Sequence, residues 1–110
     1  LTRWNMEKKI QYKVIVSDRA RQMLAGHVRF LAQKSPTAAR KAKNDLMNAI
    51  RSLSIMPERF PFLTAEFIPL NKYHKMFVEK YYLILYQIKD HTVFVDYIVD
   101  CRQDYGWLVR

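Results

Sequence analysis

The residues that decide the fold lie between Tyr73 and Trp107 and read YHKMFVEKYYLILYQIKDHTVFVDYIVDCRQDYGW. This stretch contains three short apolar runs, separated by Glu79-Lys80 and Asp90-His91, two polar pairs with the length of tight turns. It is richer in β-branched and aromatic residues than any earlier segment, and this composition favours strands. We therefore predict a β-meander of three antiparallel strands: Tyr73–Val78, Tyr81–Ile88 and Val93–Val99.

The middle run, Tyr81–Ile88, is too apolar for a sheet edge, so we expect a central strand with helices on one face. Cys101 follows the last run, and in this apolar setting we expect it to be a small buried hydrophobe. Beyond it, Arg102–Val109 is predicted to form one or two helical turns. Three aromatic residues of the middle run are also predicted to lie in the core: Tyr81, Tyr82 and Tyr86.

The segment before the meander predicts one strand and two helices. Apolar and polar residues alternate from Tyr12 to Ser17, which is typical of a strand. Ser17 and Asp18 offer capping oxygens, and apolar residues at helical spacing follow them to about Gln33. Ser35-Pro36 begins a second helix, which must end by Met56. The short link between the two helices predicts an antiparallel helical hairpin.

Three other segments complete the predicted fold. Pro57–Pro61 reads as a rigid link, and Glu66–Leu70 as a short edge strand that Pro69 ends. Leu1–Gln11 shows no clear period and is assigned as an N-terminal extension to a single domain over residues 12–110. The whole is an α+β fold in which an N-terminal strand and an antiparallel helical hairpin pack on an antiparallel β-meander sheet, with a short C-terminal helix.

The chain is strongly basic, with 19 Lys and Arg against 10 Asp and Glu and a formal net charge of +9. Such a charge attracts polyanions, so the candidate partners are nucleic acid, an anionic membrane surface or an acidic protein. The single cysteine excludes an intrachain disulfide and indicates a cytoplasmic protein. No apolar run approaches the roughly 20 residues of a membrane span, so we expect no membrane partner.

Element order and short motifs together resemble the RelE/ParE superfamily of bacterial toxins. The matching motifs span nearly the whole chain and are YKVIVS at 12–17, SPTAA at 35–39, MPERFP at 56–61, YYLILY at 81–86 and DCRQDY at 100–105. The resemblance implies a small α+β toxin of a type II toxin–antitoxin system that inhibits bacterial growth, in the manner of plasmid-stabilisation systems. It also implies a cognate antitoxin that neutralises the toxin and can form a toxin–antitoxin hetero-oligomer with it.

The superfamily contains two activities, and the resemblance favours one of them. ParE-like members poison DNA gyrase, whereas RelE-like members are ribosome-dependent mRNA endonucleases with an Arg where this chain has Leu83. Lysines of the nuclease motif fall opposite His74 and Met76, and Lys75 is one residue out of phase, so it points to the other face. The resemblance therefore favours gyrase over the ribosome and mRNA as the target. A non-toxic nucleic-acid-binding relative is a third alternative.

Candidate catalytic residues exist only under the nuclease alternative. Cleavage of RNA without a metal requires a base, an acid and cations against the phosphorane charge. Arg102 would clamp the phosphate, Tyr105 would stack on a base or transfer a proton, and His74 would be the general base. Alternatively, Arg102 pairs with Asp100 or Asp104, Tyr105 caps the sheet, and His74 is solvated or bonded structurally.

A basic surface interleaved with tyrosines predicts a site for a protein target or nucleic acid. The same residues could instead be solvated edges or a surface that an acidic antitoxin covers. His27 and His91 have no Cys, Asp or Glu at ligand spacing, and a chain with 2 glycines has no phosphate-cradling loop, so we expect neither metal nor cofactor. The candidate binding residues are Lys72, Lys75, Lys80, Tyr81 and Arg102.

Overall fold

The structure is a computed structural model that describes residues 10–66 and 68–102. In this part of the chain, two α-helices pack on one face of a four-stranded sheet. A short 3₁₀ helix at Pro57–Arg59 separates the helices from the last three strands. The elements in chain order are β1 (Lys13–Val16), α1 (Asp18–Lys34), α2 (Pro36–Ser52), β2 (His74–Val78), β3 (Tyr82–Lys89) and β4 (Thr92–Asp100).

Both helices begin at the predicted serine caps. The Oγ atoms of Ser17 and Ser35 each accept a hydrogen bond from the backbone N–H three residues later, at 3.0 Å and 3.1 Å. Ser35 also ends α1, because its own N–H donates to the Leu31 carbonyl at 2.8 Å. Pro36 lies in the first turn of α2, where its missing N–H costs no helical hydrogen bond. Ser35 alone therefore joins two helices that pack against each other.

The sheet has the strand order β1-β4-β3-β2. β2, β3 and β4 form the predicted antiparallel meander, and β1 adds to β4 as a parallel strand, so the complete sheet is mixed. The predicted central position of β3 is confirmed. Asp90 and His91 form the turn between β3 and β4 with φ values of 51° and 52°, which is the left-handed signature of a type I′ hairpin turn.

The core lies between the helices and one face of the sheet. Because side chains alternate along a strand, the helix-facing set comes from every second residue of β3. The other face of the sheet carries no helix among the described residues. The largest fully buried side chains of the core are Leu46 and Leu53 from the helical segment and Ile84, Tyr86, Val93, Val95 and Ile98 from the sheet.

The link that follows α2 was predicted to be rigid, and the structure shows in addition that it is fastened to the core. Tyr86 Oη donates to the Pro57 carbonyl at 2.5 Å, and burial raises the pKa of Tyr86 to about 12. Arg59 donates to the carbonyls of Ile55 and Met56. These contacts close the end of α2 and hold the 3₁₀ turn against the sheet.

The predicted edge strand at Glu66–Leu70 is wrong, since the described residues of this segment form turns and a bend. The position beside β2 is taken by an earlier stretch, because Lys75 N donates to the Pro61 carbonyl at 2.8 Å and Leu63 N donates to the Tyr73 carbonyl at 2.7 Å. Pro61 therefore borders this edge, and Phe62 forms only an isolated antiparallel bridge with His74.

Two core predictions are also wrong. Cys101 is exposed because it lies in the turn after β4. Tyr81 is 46% exposed because it belongs to the turn between β2 and β3, whereas Tyr82 and Tyr86 are buried as predicted. The predicted C-terminal helix lies outside the described residues from position 103 onward, as do residues 1–9 of the N-terminal extension.

Candidate functional site

The end of the sheet where β3 begins and β4 ends carries a compact group of charged and aromatic side chains, the Arg102 cluster (Tyr81, Tyr82, Asp100 and Arg102). Arg102 binds Asp100 through two parallel hydrogen bonds, Nε to Oδ1 at 3.0 Å and Nη2 to Oδ2 at 2.9 Å. The Arg102 backbone N–H donates to the same Oδ1 at 3.0 Å. The predicted pairing of Arg102 with Asp100 is confirmed, and it fixes the guanidinium in one orientation.

Burial and charge act in opposite directions on Asp100. The residue is only 3% exposed, and burial by itself would raise its pKa. Hydrogen bonds from Arg102, together with its charge, outweigh burial, so the pKa of Asp100 lies below its ordinary value. The hydrogen bond to Asp100 in turn raises the pKa of Arg102. Asp100 and Arg102 therefore form an ion pair at neutral pH.

The guanidinium also lies on an aromatic surface. Its Cζ atom is 4.4 Å from the Tyr81 ring centroid, and Nη2 lies 3.4 Å from Tyr82 Oη. The Arg102 side chain remains 43% exposed, and its Nη1 donates no hydrogen bond within the described residues. A partner that supplies a carboxylate or a phosphate could bind the edge of the guanidinium that carries Nη1 while it stacks on Tyr81.

A pocket of about 230 Å³ opens beside the cluster. Its walls come from both helices and from the turn between β2 and β3, where Glu79 is bound by Lys41 at 3.3 Å. Lys41 also binds Asp45 at 2.7 Å, so the acidic and basic groups at the mouth largely neutralise one another. The pocket is lined mainly by apolar atoms and suits an uncharged side chain of a partner better than an ion.

His74 lies in β2 and is enclosed on both sides of its ring. Its Nδ1 is 2.7 Å from the Phe60 carbonyl, so Nδ1 carries the proton and donates. The ring stacks on Tyr86 at 5.2 Å and contacts Phe62 at 4.1 Å, and the residue is 7% exposed. His74 was predicted to be either a general base or a solvated or structurally bonded side chain. The structure shows a buried side chain with a structural hydrogen bond.

His74 and Arg102 are not brought together. His74 pairs with Tyr86, whereas Asp100, which holds Arg102, pairs with Tyr82. These two positions on β3 are four positions apart, or about 13 Å at the usual rise of a strand. Tyr105, the third candidate catalytic residue, lies outside the described residues.

The candidate binding residues fall into separate places. Lys80 and Tyr81 share the turn between β2 and β3, and Arg102 lies against Tyr81. Lys72 is exposed at the opposite end of β2, with its Nζ 5.5 Å from the Tyr73 ring. Lys75 pairs with Leu85 and points away from the helices, as its phase predicted. Only Lys80, Tyr81 and Arg102 therefore belong to one surface.

Comparison with known proteins identifies the family. The sequence profile of the family described as the ParE toxin of the type II toxin–antitoxin system, parDE, matches residues 14–105. This chain belongs to the ParE toxin family. It is thus a toxin of the type II class, and the expected ParE-like rather than RelE-like resemblance is confirmed.

A solved structure shares the fold of this ParE-family chain. A chain from a structure titled "Chromosomal ParDE TA system from P. aeruginosa" superposes with a TM-score of 0.65 and 12% sequence identity, over 82% of this chain and 96% of that one. At this identity the likeness establishes the fold alone. No curated protein sequence matches the chain.

Leu83 is the position at which the resemblance to RelE-like nucleases implies an Arg. It pairs with Phe77 of β2 and Val99 of β4, in an apolar row on the face of the sheet that points away from the helices.

In the part of the chain that the structure describes, no three His, Cys, Asp or Glu side chains are grouped so that they could hold a metal ion. The helices described above are not long and apolar enough to cross a membrane.

One polar network of the ParE-family chain was not found from the sequence. The register between β3 and β4 shifts at Leu85/Tyr86, which leaves Asp96 as an extra residue in β4. Its carboxylate accepts hydrogen bonds from Tyr73 Oη at 3.1 Å and Gln87 Nε2 at 2.8 Å. Burial and the Asp96 charge raise the pKa of Tyr73 to about 12. In the sequence, an acidic residue within an apolar strand, Asp96, indicated that a polar contact was needed there. Its hydrogen-bond partners could not be predicted, because they depend on the bulge.

Proposed function

We propose that this ParE-family toxin inhibits bacterial growth by binding DNA gyrase through its folded surface, without chemistry of its own. A cognate antitoxin neutralises it by binding the toxin. Three residues of one surface, Lys80, Tyr81 and Arg102, form the centre of the gyrase contact, and Lys72 and Lys75 contribute only long-range charge.

The observation that carries this proposal is the separation of the candidate catalytic groups. A general base and a phosphate clamp must reach the same phosphodiester, within hydrogen-bond distance of the reacting atoms. His74 lies about 13 Å along the sheet from the residue that holds Arg102, and its Nδ1 is occupied by the Phe60 carbonyl. With Leu83 at the place of the nuclease Arg, these groups do not form a nuclease site. A binding function requires none of them to meet.

The Arg102 cluster has the properties of a binding centre. Aromatic and Arg side chains dominate the energetics of protein interfaces, and both are presented together here. Asp100 holds the guanidinium before a partner arrives, which reduces the conformational entropy lost on binding. The net charge of +9 raises the rate of encounter with a target that carries DNA.

The test compares two aromatic substitutions of equal exposure. Tyr81→Ala removes the ring beneath Arg102, and Phe30→Ala removes a ring on α1 that is also 46% exposed. After induction in a bacterium, we expect the wild type and Phe30→Ala to trap double-strand DNA breaks with intact mRNA. Tyr81→Ala should reduce the breaks by about tenfold or more, which corresponds to the loss of one interface hot spot.

The same experiment can contradict the proposal in three ways. Cuts at codon positions in translated mRNA, with intact DNA, would show the endonuclease alternative to be right. Growth without any effect of induction would favour the non-toxic nucleic-acid-binding relative. Equal break counts for Tyr81→Ala and wild type, at equal protein levels, would exclude the Arg102 cluster from the target contact.

A further inference from the structure

The pocket beside the Arg102 cluster has the size of a receptor for a single side chain. Its volume of about 230 Å³ lies below the range of roughly 300–1,000 Å³ that is usual for small-molecule sites. We call it the Ala38 pocket. Near the end of α1 it is lined by Leu31, on α2 by Ala38 and Ala42, and at the start of β3 by Tyr81 and Tyr82.

The helical wall of the Ala38 pocket is apolar and contains small residues. Ala38 is exposed, whereas Ala42 is buried and Leu31 is half-buried. Residues four apart lie one above the other on a helix, so the two alanines allow a partner to approach the α2 backbone closely. An apolar side chain that enters here is removed from water against carbon atoms, which is favourable.

The charged groups around the pocket compensate one another. Each ion pair among the described residues includes a residue that lines it: Lys41 with Asp45, Lys41 with Glu79, and Arg102 with Asp100. Two cations therefore lie beside three carboxylates, although the net charge of the chain is +9. This part of the surface does not attract a polyanion, so DNA phosphates fit it less well than an uncharged group does.

Arg102 offers a hydrogen bond at the edge of the same pocket. Among the described residues, its Nη1 donates no hydrogen bond, while Nε and Nη2 bind Asp100. Because Asp100 already neutralises the guanidinium, a second carboxylate would be attracted by Arg102 and repelled by Asp100. A neutral acceptor such as a peptide carbonyl can bind Nη1 without that repulsion.

We propose that the Ala38 pocket takes an uncharged, apolar side chain of gyrase, and that a neutral carbonyl beside that side chain accepts a hydrogen bond from Arg102 Nη1. This inference rests on the proposed function, in which gyrase is the target, and adds the chemistry of the bound segment. Tyr81 lines the pocket and lies against Arg102, so the apolar contact is continuous with the Arg102 cluster. The apolar contact holds the complex, whereas the net charge of the chain speeds the encounter.

The test measures association and dissociation rates of the full toxin on immobilised, purified gyrase by surface plasmon resonance. Between about 50 mM and about 300 mM salt, we expect the association rate to fall by about tenfold, because salt screens the long-range attraction. The dissociation rate of the wild type should change by less than about twofold, because an apolar contact contains no ion pair that salt could screen.

Three substitutions at Ala38 test what the pocket takes. Ala38→Trp covers the pocket with a ring, and Ala38→Glu and Ala38→Lys place a charge of either sign at its mouth. Each should raise the dissociation rate by about tenfold, since a central contact is lost. Both charges should act alike, because the side chain that enters is uncharged.

Ala32 provides the matched control. It is also an exposed alanine on a helix, and it does not line the pocket. The same three substitutions at Ala32 should leave the dissociation rate within about twofold of wild type. Circular dichroism and thermal unfolding show whether each variant is folded, and the salt dependence of the wild type requires no variant.

Four results would contradict the proposal. Opposite effects of Ala38→Glu and Ala38→Lys would show that the bound side chain is charged. A wild-type dissociation rate that rises steeply with salt would assign the contact to ion pairs or DNA phosphates. Wild-type dissociation rates for all Ala38 variants would overturn this inference and leave gyrase as the target. Absence of binding between wild type and gyrase would overturn the proposed function, and this inference with it.

Discussion

Arg102 shows how one residue can serve structure and binding together. Its guanidinium neutralises the buried carboxylate of Asp100 and at the same time lies exposed on the Tyr81 ring. In this ion pair the Arg102 side chain is partly exposed to solvent, whereas the Asp100 side chain is buried. Removal of Arg102 and removal of Asp100 therefore lower the free energy of unfolding by different amounts. A buried carboxylate without its cation is strongly unfavourable, whereas an exposed guanidinium without its anion is not.

We predict that Arg102→Ala lowers the free energy of unfolding by about 1–3 kcal/mol near neutral pH, because Asp100 stays buried without its partner. The loss should depend on pH. In the wild type the pKa of Asp100 is lowered, so its contribution is present above the unfolded value of about 3.9 and is lost as the pH falls through the folded value. In the variant, burial raises that pKa, so protonation relieves the cost. The difference between the two proteins should therefore shrink in acid.

Urea denaturation from about pH 3 to pH 7 measures this difference. Arg51→Ala provides the control, because Arg51 is exposed on α2 and its side chain donates, among the described residues, only to Asn48. Its effect should stay within about 0.5 kcal/mol at every pH. A loss for Arg102→Ala that does not vary with pH would show that the pairing with Asp100 does not stabilise the fold.

At the scale of elements, the turn between β3 and β4 shows a conflict between the backbone preference of a residue and the conformation that the hairpin requires. Two apolar strands demand a turn at Asp90-His91, and the type I′ turn requires positive φ at both positions. Asp tolerates this region, but His pays the steric cost of its Cβ. The packing of β3 and β4 on the helices supplies the energy that holds the turn.

We predict that His91→Gly stabilises the chain by about 0.5–1 kcal/mol, since glycine adopts positive φ without strain. The gain is reduced by the loss of the contact between the His91 and Tyr12 rings, whose centroids are 5.6 Å apart. Thermal and urea unfolding measure the effect. Thr92→Gly, one residue later and within β4, should destabilise by about as much. If both substitutions destabilise the chain equally, the turn carries no strain that glycine can relieve.

At the scale of the whole molecule, the two surfaces predict that toxicity and neutralisation can be separated. Arg21→Glu/Arg29→Glu alters a groove on the helical hairpin, which is lined by Arg21, Leu24, Ala25, Val28 and Arg29 of α1 and by Lys43 of α2, and leaves the Arg102 cluster intact. We expect this variant to arrest growth and to resist rescue by the co-expressed product of the neighbouring gene. Tyr81→Ala should show the reverse, a loss of arrest with the antitoxin still bound.

Colony counts measure arrest and rescue, and co-purification measures antitoxin binding. Lys13→Glu/Lys89→Glu has the same change in net charge and should behave as wild type in both assays. Rescue of the groove variant by the antitoxin at wild-type efficiency would place the antitoxin elsewhere on the toxin. Loss of arrest in the groove variant, with folding retained, would show that the two surfaces are not independent.

The sequence predicts those features of the candidate site that depend on residues close together in the chain, and it fails for features that depend on where an element ends. The pairing of Arg102 with Asp100 was among the predicted alternatives because the two residues are only two positions apart in the chain. The exposure of Tyr81 was not predicted, because a tyrosine in an apolar run reads as core unless the end of the strand is known.

The sequence by itself determined the helices, the meander and the rigid link, because serine caps, prolines and apolar periods act between residues close in the chain. Only the tertiary structure decided the parallel pairing of β1 with β4, the bulge at Asp96 and the distance between His74 and Arg102. Each of these depends on which distant segments pack together and in what register. A strand carries the same alternating pattern whichever neighbour it pairs with. The proposed function rests on that second group, since it decides which of the described side chains meet and which are exposed to a partner.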